Sequence, residues 1–141
     1  MELKRKRINI YLAEDDDGDH LIFQQALAEV EGTHKLERFS NGEQLLVFLN
    51  QGGKWPDIIF LDLNMPIMNG RETLSELKSH PVFKKIPVFI LSTSRQQEEV
   101  NGCYHLGANL YIPKPFEFAE WVQVITGICA LVSQQALLPA K

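Results

Sequence analysis

The feature that most constrains the fold is the segment 58–66, IIFLDLNMP, in which four consecutive apolar residues lead directly into Asp62. A run without polar alternation is typical of a parallel strand that is covered on both faces. Open α/β sheets bind their ligands outside the carboxyl ends of such strands. The sequence therefore predicts a buried central strand that places the Asp62 carboxylate where a ligand binds.

The rest of the chain alternates β-rich runs with helical patterns. Four further strands are predicted, at residues 8–13, 34–39, 86–91 and 110–112. Such alternation with short connections specifies a doubly wound parallel sheet of the α/β class, with helices on both faces. We expect a single domain over residues 1–141, with its core at about 8–132, a basic leader at 1–7 and a fraying tail at 135–141.

Each predicted strand is followed by a helix with an apolar stripe. The residues expected to face the sheet are Phe23, Ala26, Leu27 and Val30, then Leu45, Phe48 and Leu49, then Leu74 and Leu77, then Val100, Cys103 and Tyr104, and finally Phe118, Trp121, Val122, Ile125, Ile128, Cys129 and Val132. Asp16 or Asp17 is predicted to cap the first helix. The second helix is predicted to begin at Ser40, because Ser40 and Glu43 have the spacing of a capping box.

Composition describes an ordinary globular chain, with 45% hydrophobic and 23% charged residues. The net charge of −4 argues against a nucleic-acid partner. No apolar run reaches the roughly 18–20 residues of a membrane span, and the basic start MELKRKR lacks the apolar stretch of a signal peptide. Cys103 and Cys129 are expected to be reduced core residues, so we expect a cytoplasmic protein.

Polar residues follow four of the predicted strands. Glu14 and Asp15 end the first strand, Asp62 the central one, Ser92 the fourth and Lys114 the fifth. In a parallel sheet these side chains converge on one crevice. Three carboxylates at such short range repel each other unless a cation compensates, and a site with few protein ligands and several waters suits Mg²⁺.

A cation, an ammonium group and a hydroxyl around an aspartate form a site for phosphoryl transfer. Asp62 is the candidate nucleophile, Lys114 neutralises charge on the phosphoryl oxygens and Ser92 donates a hydrogen bond to them. Taken alone, residues 14–17 fit helix capping and dipole compensation equally well, and Ser92 alone fits a turn hydroxyl. Their conjunction at successive strand ends favours the site.

These residues resemble the receiver domain of two-component response regulators over nearly the whole chain. The acidic pair is Glu14 and Asp15, although Asp16 replaces one of them if the first strand is one residue longer. The signature D-x-x-M-P-x-x-x-G is present at residues 62–70, the hydroxyl is Ser92 and K-P-F is present at residues 114–116.

The resemblance implies a flavodoxin-like, five-stranded sheet in the order 2-1-3-4-5. It implies that Asp62 accepts a phosphoryl group from the phosphohistidine of a sensor histidine kinase. It also implies that Mg²⁺ is held by Asp15, Asp62 and the backbone carbonyl of Asn64, with Glu14 assisting through water.

The resemblance further implies a switch. Lys114 contacts the phosphoryl group, and the peptide bond between Lys114 and Pro115 is expected to be cis. Ser92 swings to bind the phosphate, and the Tyr111 ring fills the vacated space. The face formed by the fourth helix, fifth strand and fifth helix is thereby remodelled for partner binding.

The sequence of residues 14–19, EDDDGD, resembles that of stand-alone response regulators that serve phytochrome-type kinases. The expected output is a contact with a downstream protein or phosphotransfer partner, and Leu131, Leu137 and Leu138 are a candidate homodimer surface. Two alternatives remain: an aspartate-nucleophile phosphatase, which needs an acid where this chain has Asn64, and a receiver-like module that binds partners without phosphorylation.

Overall fold

The computed structural model describes residues 7–132. They contain five strands joined in one sheet with the order β2-β1-β3-β4-β5. The strands are β1 (Asn9–Ala13), β2 (Lys35–Phe39), β3 (Ile58–Asp62), β4 (Val88–Ser92) and β5 (Leu110–Pro113). All four pairings are parallel, so the predicted flavodoxin-like topology is confirmed.

Five α-helices connect or follow the strands. They are α1 (Asp17–Ala28), α2 (Gly42–Asn50), α3 (Gly70–Ser79), α4 (Gln97–His105) and α5 (Phe118–Ala130), and a 3-10 turn at Phe83–Lys85 precedes β4. Within the portion that the structure describes, none of the helices combines the length and apolarity needed to cross a bilayer.

The central strand supplies both cores of the molecule because its side chains alternate between the two faces. Ile58 and Phe60 pack in the core beneath α1 and α5, where the Phe60 ring lies 5.1 Å from that of Phe23. Ile59 and Leu61 pack in the core beneath α2, α3 and α4. Every residue of β3 is buried, so the strand is a rigid base for the carboxylate at its end.

The helix starts agree with the predictions in one case and differ in another. The Asp16 side chain caps α1 by accepting a hydrogen bond from the Asp19 backbone N–H at 2.9 Å. In α2 the cap is Asn41, whose side chain accepts from the Gln44 backbone N–H at 3.0 Å, so the capping residue lies one position after the predicted Ser40. Because Asn41 and Gln44 share the same spacing, the sequence pattern alone does not separate the two registers.

Three aromatic residues that were predicted to face inward are substantially exposed: Phe48 at 39%, Tyr104 at 44% and Phe118 at 42%. These residues lie at the margins of their helical stripes. Cys103 and Cys129 are buried free thiols, as predicted.

Candidate functional site

The sheet register brings the polar strand ends together. Asp62 at the end of β3 is paired with Leu91 of β4, and the next residue of β4, Ser92, is paired with Pro113 at the end of β5. The carboxyl ends of these three strands therefore lie side by side at one edge of the sheet. Glu14, Asp15 and Asp62 each offer a carboxylate oxygen, and these oxygens lie within 4.8 Å of one another. Glu14 and Asp62 are buried, whereas Asp15 is exposed at the rim.

The ammonium group of Lys114 lies among carboxylates. Its Nζ is 2.8 Å from Glu14 Oε1, 2.7 Å from Asp19 Oδ2 and 3.4 Å from Asp62 Oδ1. The Lys114 backbone N–H also donates to the Ser92 carbonyl at 2.7 Å, which fixes the residue at the end of β5. A buried cation is thus shared by three acidic residues, which come from the β1–α1 loop, from α1 and from the end of β3.

The peptide bond after Lys114 corrects one prediction. No peptide bond among residues 7–132 is cis, so the expected cis bond before Pro115 is wrong in this structure. The trans form of a peptide bond before proline is more stable than the cis form by about 0.5–1 kcal/mol. With this bond in the trans form, the Lys114 ammonium contacts Glu14 and Asp62.

Burial dominates the electrostatics of the site. It raises the pKa of Glu14 to about 8, although the hydrogen bond from Lys114 opposes the shift. Burial also raises the pKa of Asp62, and the charge of Lys114 again opposes the shift. Burial by itself lowers the pKa of Lys114, but the hydrogen bonds to Asp19 and Glu14 outweigh it, so the pKa is raised overall. Lys114 therefore stays charged, and its single positive charge is smaller than the negative charge that the surrounding carboxylates can carry.

This imbalance fits a hard divalent cation. Carboxylate oxygens are the ligands that Mg²⁺ and Mn²⁺ accept, and the oxygens of Glu14, Asp15 and Asp62 converge closely enough to share one ion. Asn64 lies two residues after Asp62, in the exposed part of the β3–α3 loop.

Arg38, at the end of β2, is a site residue that sequence reasoning missed. Its Nε donates to the Glu14 carbonyl at 2.9 Å, and its Nη2 donates to the Asp15 carbonyl at 3.2 Å. The same Nη2 is 2.8 Å from Asp17 Oδ1. Arg38 therefore holds the main chain of the acidic pair, while Asp16 serves as the helix cap.

Asp19 was also missed, although it provides the shortest contact to Lys114. It occupies the first turn of α1 and its side chain is 30% exposed. Its position in the sequence could have indicated this role, because α1 begins just after β1 ends. An acid in the first turn of that helix therefore lies close to the carboxyl ends of the strands.

Gly70 sets the shape of the loop that follows Asp62. A Cβ at this position would lie 2.3 Å from the Asp62 carbonyl oxygen and 2.8 Å from Leu63 Cα. Without one, the Gly70 backbone N–H donates to the Leu63 carbonyl at 3.0 Å. The glycine of the signature is thus required for the close approach of α3. Ile67 in the same loop has φ of 66°, which strains a β-branched residue.

Ser92 and Tyr111 are connected through the backbone of Ser94. The buried Ser92 hydroxyl accepts a hydrogen bond from the Ser94 N–H at 3.1 Å. The Tyr111 hydroxyl donates to the Ser94 carbonyl at 2.8 Å, and its ring is buried. The Tyr111 backbone N–H donates to the Tyr104 hydroxyl at 2.9 Å, which links the pair to α4.

Two response regulators match this chain along nearly their whole length. The response regulator Rcp1 of Synechocystis is 34% identical over 136 residues, which is 93% of this chain and 92% of Rcp1. The phosphorylated cyanobacterial phytochrome response regulator RcpA is 36% identical in sequence, and its structure superposes on this one with a TM-score of 0.87. The match covers 96% of this chain and 100% of RcpA. The Mn²⁺-bound form of Rcp1 is 33% identical with a TM-score of 0.83, covering 94% and 99%.

The family model described as the response regulator receiver domain matches residues 10–126, a span that contains β2 to β5, all of β1 except its first residue, and the acidic site. On this evidence the chain belongs to the response regulator receiver domain family.

Proposed function

We propose that this protein is a single-domain response regulator, spanning residues 1–141, that accepts a phosphoryl group on Asp62 from the phosphohistidine of a sensor histidine kinase. The observation that carries the proposal is the buried Asp62 carboxylate, which lies 3.4 Å from the Lys114 ammonium and shares its crevice with Glu14 and Asp15. A merely structural aspartate needs no such surroundings.

The transfer exchanges one bond for another. An Asp62 carboxylate oxygen forms a bond to phosphorus, and the P–N bond to the histidine ring breaks. The ring, protonated on its other nitrogen, leaves as neutral imidazole. Lys114 neutralises charge on the phosphoryl oxygens, and the Ser92 hydroxyl donates a hydrogen bond to them after turning away from Ser94.

Mg²⁺ is the proposed cofactor, and when bound it neutralises charge on a phosphoryl oxygen. Asp15, Asp62 and the backbone carbonyl of Asn64 would hold it, with Glu14 assisting through water. The convergence of carboxylate oxygens supports this assignment, as does the Mn²⁺-bound form of the relative Rcp1.

The proposed output is a change of the face formed by α4, β5 and α5. When Ser92 turns to the phosphate, the Tyr111 ring moves into the vacated space and the face is repacked for a downstream protein or a phosphotransfer partner. The hydrogen bonds that link Ser92, Ser94, Tyr111 and Tyr104 support this route.

The proposed kinase is of the phytochrome type, because the relative RcpA is a phytochrome response regulator. Homodimerisation through α5 is proposed as well. Leu131 at the end of α5 is 50% exposed, while Leu137 and Leu138 lie outside the described residues.

The experiment is phosphorylation by acetyl phosphate with Mg²⁺, followed by intact-mass analysis. We expect one phosphoryl adduct on the wild-type protein and none on Asp62→Asn. Asp17→Asn is the matched control, because it removes the same charge from a side chain that is 91% exposed, and it should be phosphorylated normally. An adduct on Asp62→Asn would refute the assignment, and repeated turnover of a phosphomonoester would support the phosphatase alternative instead.

A further inference from the structure

We infer that Asp19 is a positioning residue that holds the Lys114 ammonium in a resting position and is displaced from it when Asp62 is phosphorylated. This inference rests on the proposed function, since it concerns the same lysine and the same acceptor.

Two of the three N–H donors of Lys114 are engaged by carboxylates at short range. An ammonium group has three N–H donors, and here three carboxylates surround it. Asp19 at 2.7 Å and Glu14 at 2.8 Å are in hydrogen-bonding range, whereas Asp62 is more distant at 3.4 Å. The ammonium is thus drawn towards α1 and away from the proposed acceptor.

The three partners differ in their access to water. The exposed fraction of the side chain is 2% for Glu14 and 7% for Asp62, but 30% for Asp19. A carboxylate that loses its partner while buried pays a large desolvation penalty, whereas an accessible one is rehydrated. Asp19 is therefore the partner that Lys114 releases most readily.

A phosphoryl group on Asp62 brings charged oxygens that need an N–H donor. Charge-assisted hydrogen bonds to such oxygens are among the strong ones, so the ammonium shifts from Asp19 to the phosphoryl group. To reach the phosphoryl oxygens, the ammonium has to leave its resting position 2.7 Å from Asp19. Asp19 consequently weakens binding of the phosphoryl group and favours the unphosphorylated state.

The same helix turn contains a matched control. Asp17 is also an acid in the first turn of α1, but it pairs with Arg38 Nη2 at 2.8 Å and not with Lys114. Removal of either charge changes the net charge equally. Only removal of the Asp19 charge frees the lysine.

The test measures binding of beryllium trifluoride, a phosphoryl analogue, by ¹⁹F NMR and calorimetry at saturating Mg²⁺. We expect Asp19→Asn to bind it about tenfold more tightly than wild type, which corresponds to about 1.4 kcal/mol. Asp17→Asn should stay within about twofold, because an exposed charge is screened. Asp19→Glu, which restores the carboxylate, should return the affinity towards the wild-type value. Thermal unfolding of each variant verifies that it is folded.

The outcomes separate the two claims. If the wild-type protein binds the analogue and Asp19→Asn binds it equally or more weakly, the inference about Asp19 is wrong and the proposed function stands. If Asp17→Asn gains as much as Asp19→Asn, the effect is net charge alone and the inference is also wrong. If the wild-type protein does not bind the analogue with Mg²⁺, the proposed function fails, and this inference fails with it.

Discussion

Replacement of Lys114 by methionine isolates the role of the buried cation. Lys114→Met keeps most of the apolar stem but removes the ammonium shared by Glu14, Asp19 and Asp62. Removal of one partner from a buried ion pair costs about 3–5 kcal/mol, because the remaining charge stays buried without compensation. Asp19 is partly exposed and contributes little to this cost. We expect the free energy of unfolding to fall by about 3 kcal/mol near neutral pH.

The loss should depend on pH in a definite direction. The pKa of Glu14 is raised from 4.5 in its ordinary state to about 8 in the folded protein. The folded protein therefore binds this proton more tightly than the unfolded chain. Its contribution to stability is fully present below pH 4.5 and is lost as the pH rises through about 8. Without the ammonium the pKa of Glu14 rises further, so folded Lys114→Met keeps this proton and goes on losing stability above pH 8, where wild type no longer does. The difference in the free energy of unfolding between Lys114→Met and wild type should therefore widen as the pH rises above about 8.

The assay is urea unfolding followed by tryptophan fluorescence in the presence of a chelator, at one pH below 8 and at one pH well above it. Lys84→Met is the matched control, because Lys84 is exposed and lies away from the acidic site. Saturating Mg²⁺ should reduce the deficit of Lys114→Met, since the ion supplies the missing positive charge. A loss below about 1 kcal/mol, the value of an exposed pair, or an equal loss at both pH values would refute the reasoning.

Two further substitutions test the loop after Asp62 by the same urea assay. Gly70→Ala should destabilise the protein by about 2–3 kcal/mol, because the added Cβ meets the Asp62 carbonyl oxygen at 2.3 Å; an unchanged midpoint would contradict the close approach. Ile67→Gly should stabilise it by about 0.5–1 kcal/mol, since relief of about 1–2 kcal/mol of left-handed strain exceeds the entropic cost of glycine. Ile67 is 76% exposed, so little buried area is lost. A lower midpoint for Ile67→Gly would show that the strain is absent.

The parts of the fold that depend on local pattern were predictable from the sequence. The apolar run at 58–61 ended at Asp62, and the structure has a fully buried strand there. The strand ends predicted the convergence of Glu14 and Asp62 because parallel strands bring their carboxyl ends to one edge. An alternation of strands and helices with short connections is compatible with few sheet topologies, so the relative positions of the strand ends could be predicted as well.

The contacts that the sequence did not reveal are long-range and polar. Arg38 reads as an exposed residue of an edge strand, and its bonds to the Glu14 and Asp15 carbonyls depend on the pairing of β1 with β2. Asp19 reads as a favourable acid in the first turn of a helix. Its contact with Lys114 spans 95 residues of sequence and becomes visible only when α1 and β5 are placed together.

The hydrogen-bonded joint between Ser92 and Tyr111 has a consequence for how this protein tolerates change. Both bonds use the amide and carbonyl of Ser94 and neither uses its side chain. Most substitutions at position 94 therefore preserve the joint, and only proline, which lacks the amide hydrogen, severs one half of it. The connection between Ser92 and the Tyr111 ring is thus a property of the backbone at position 94, which a change of side chain leaves in place.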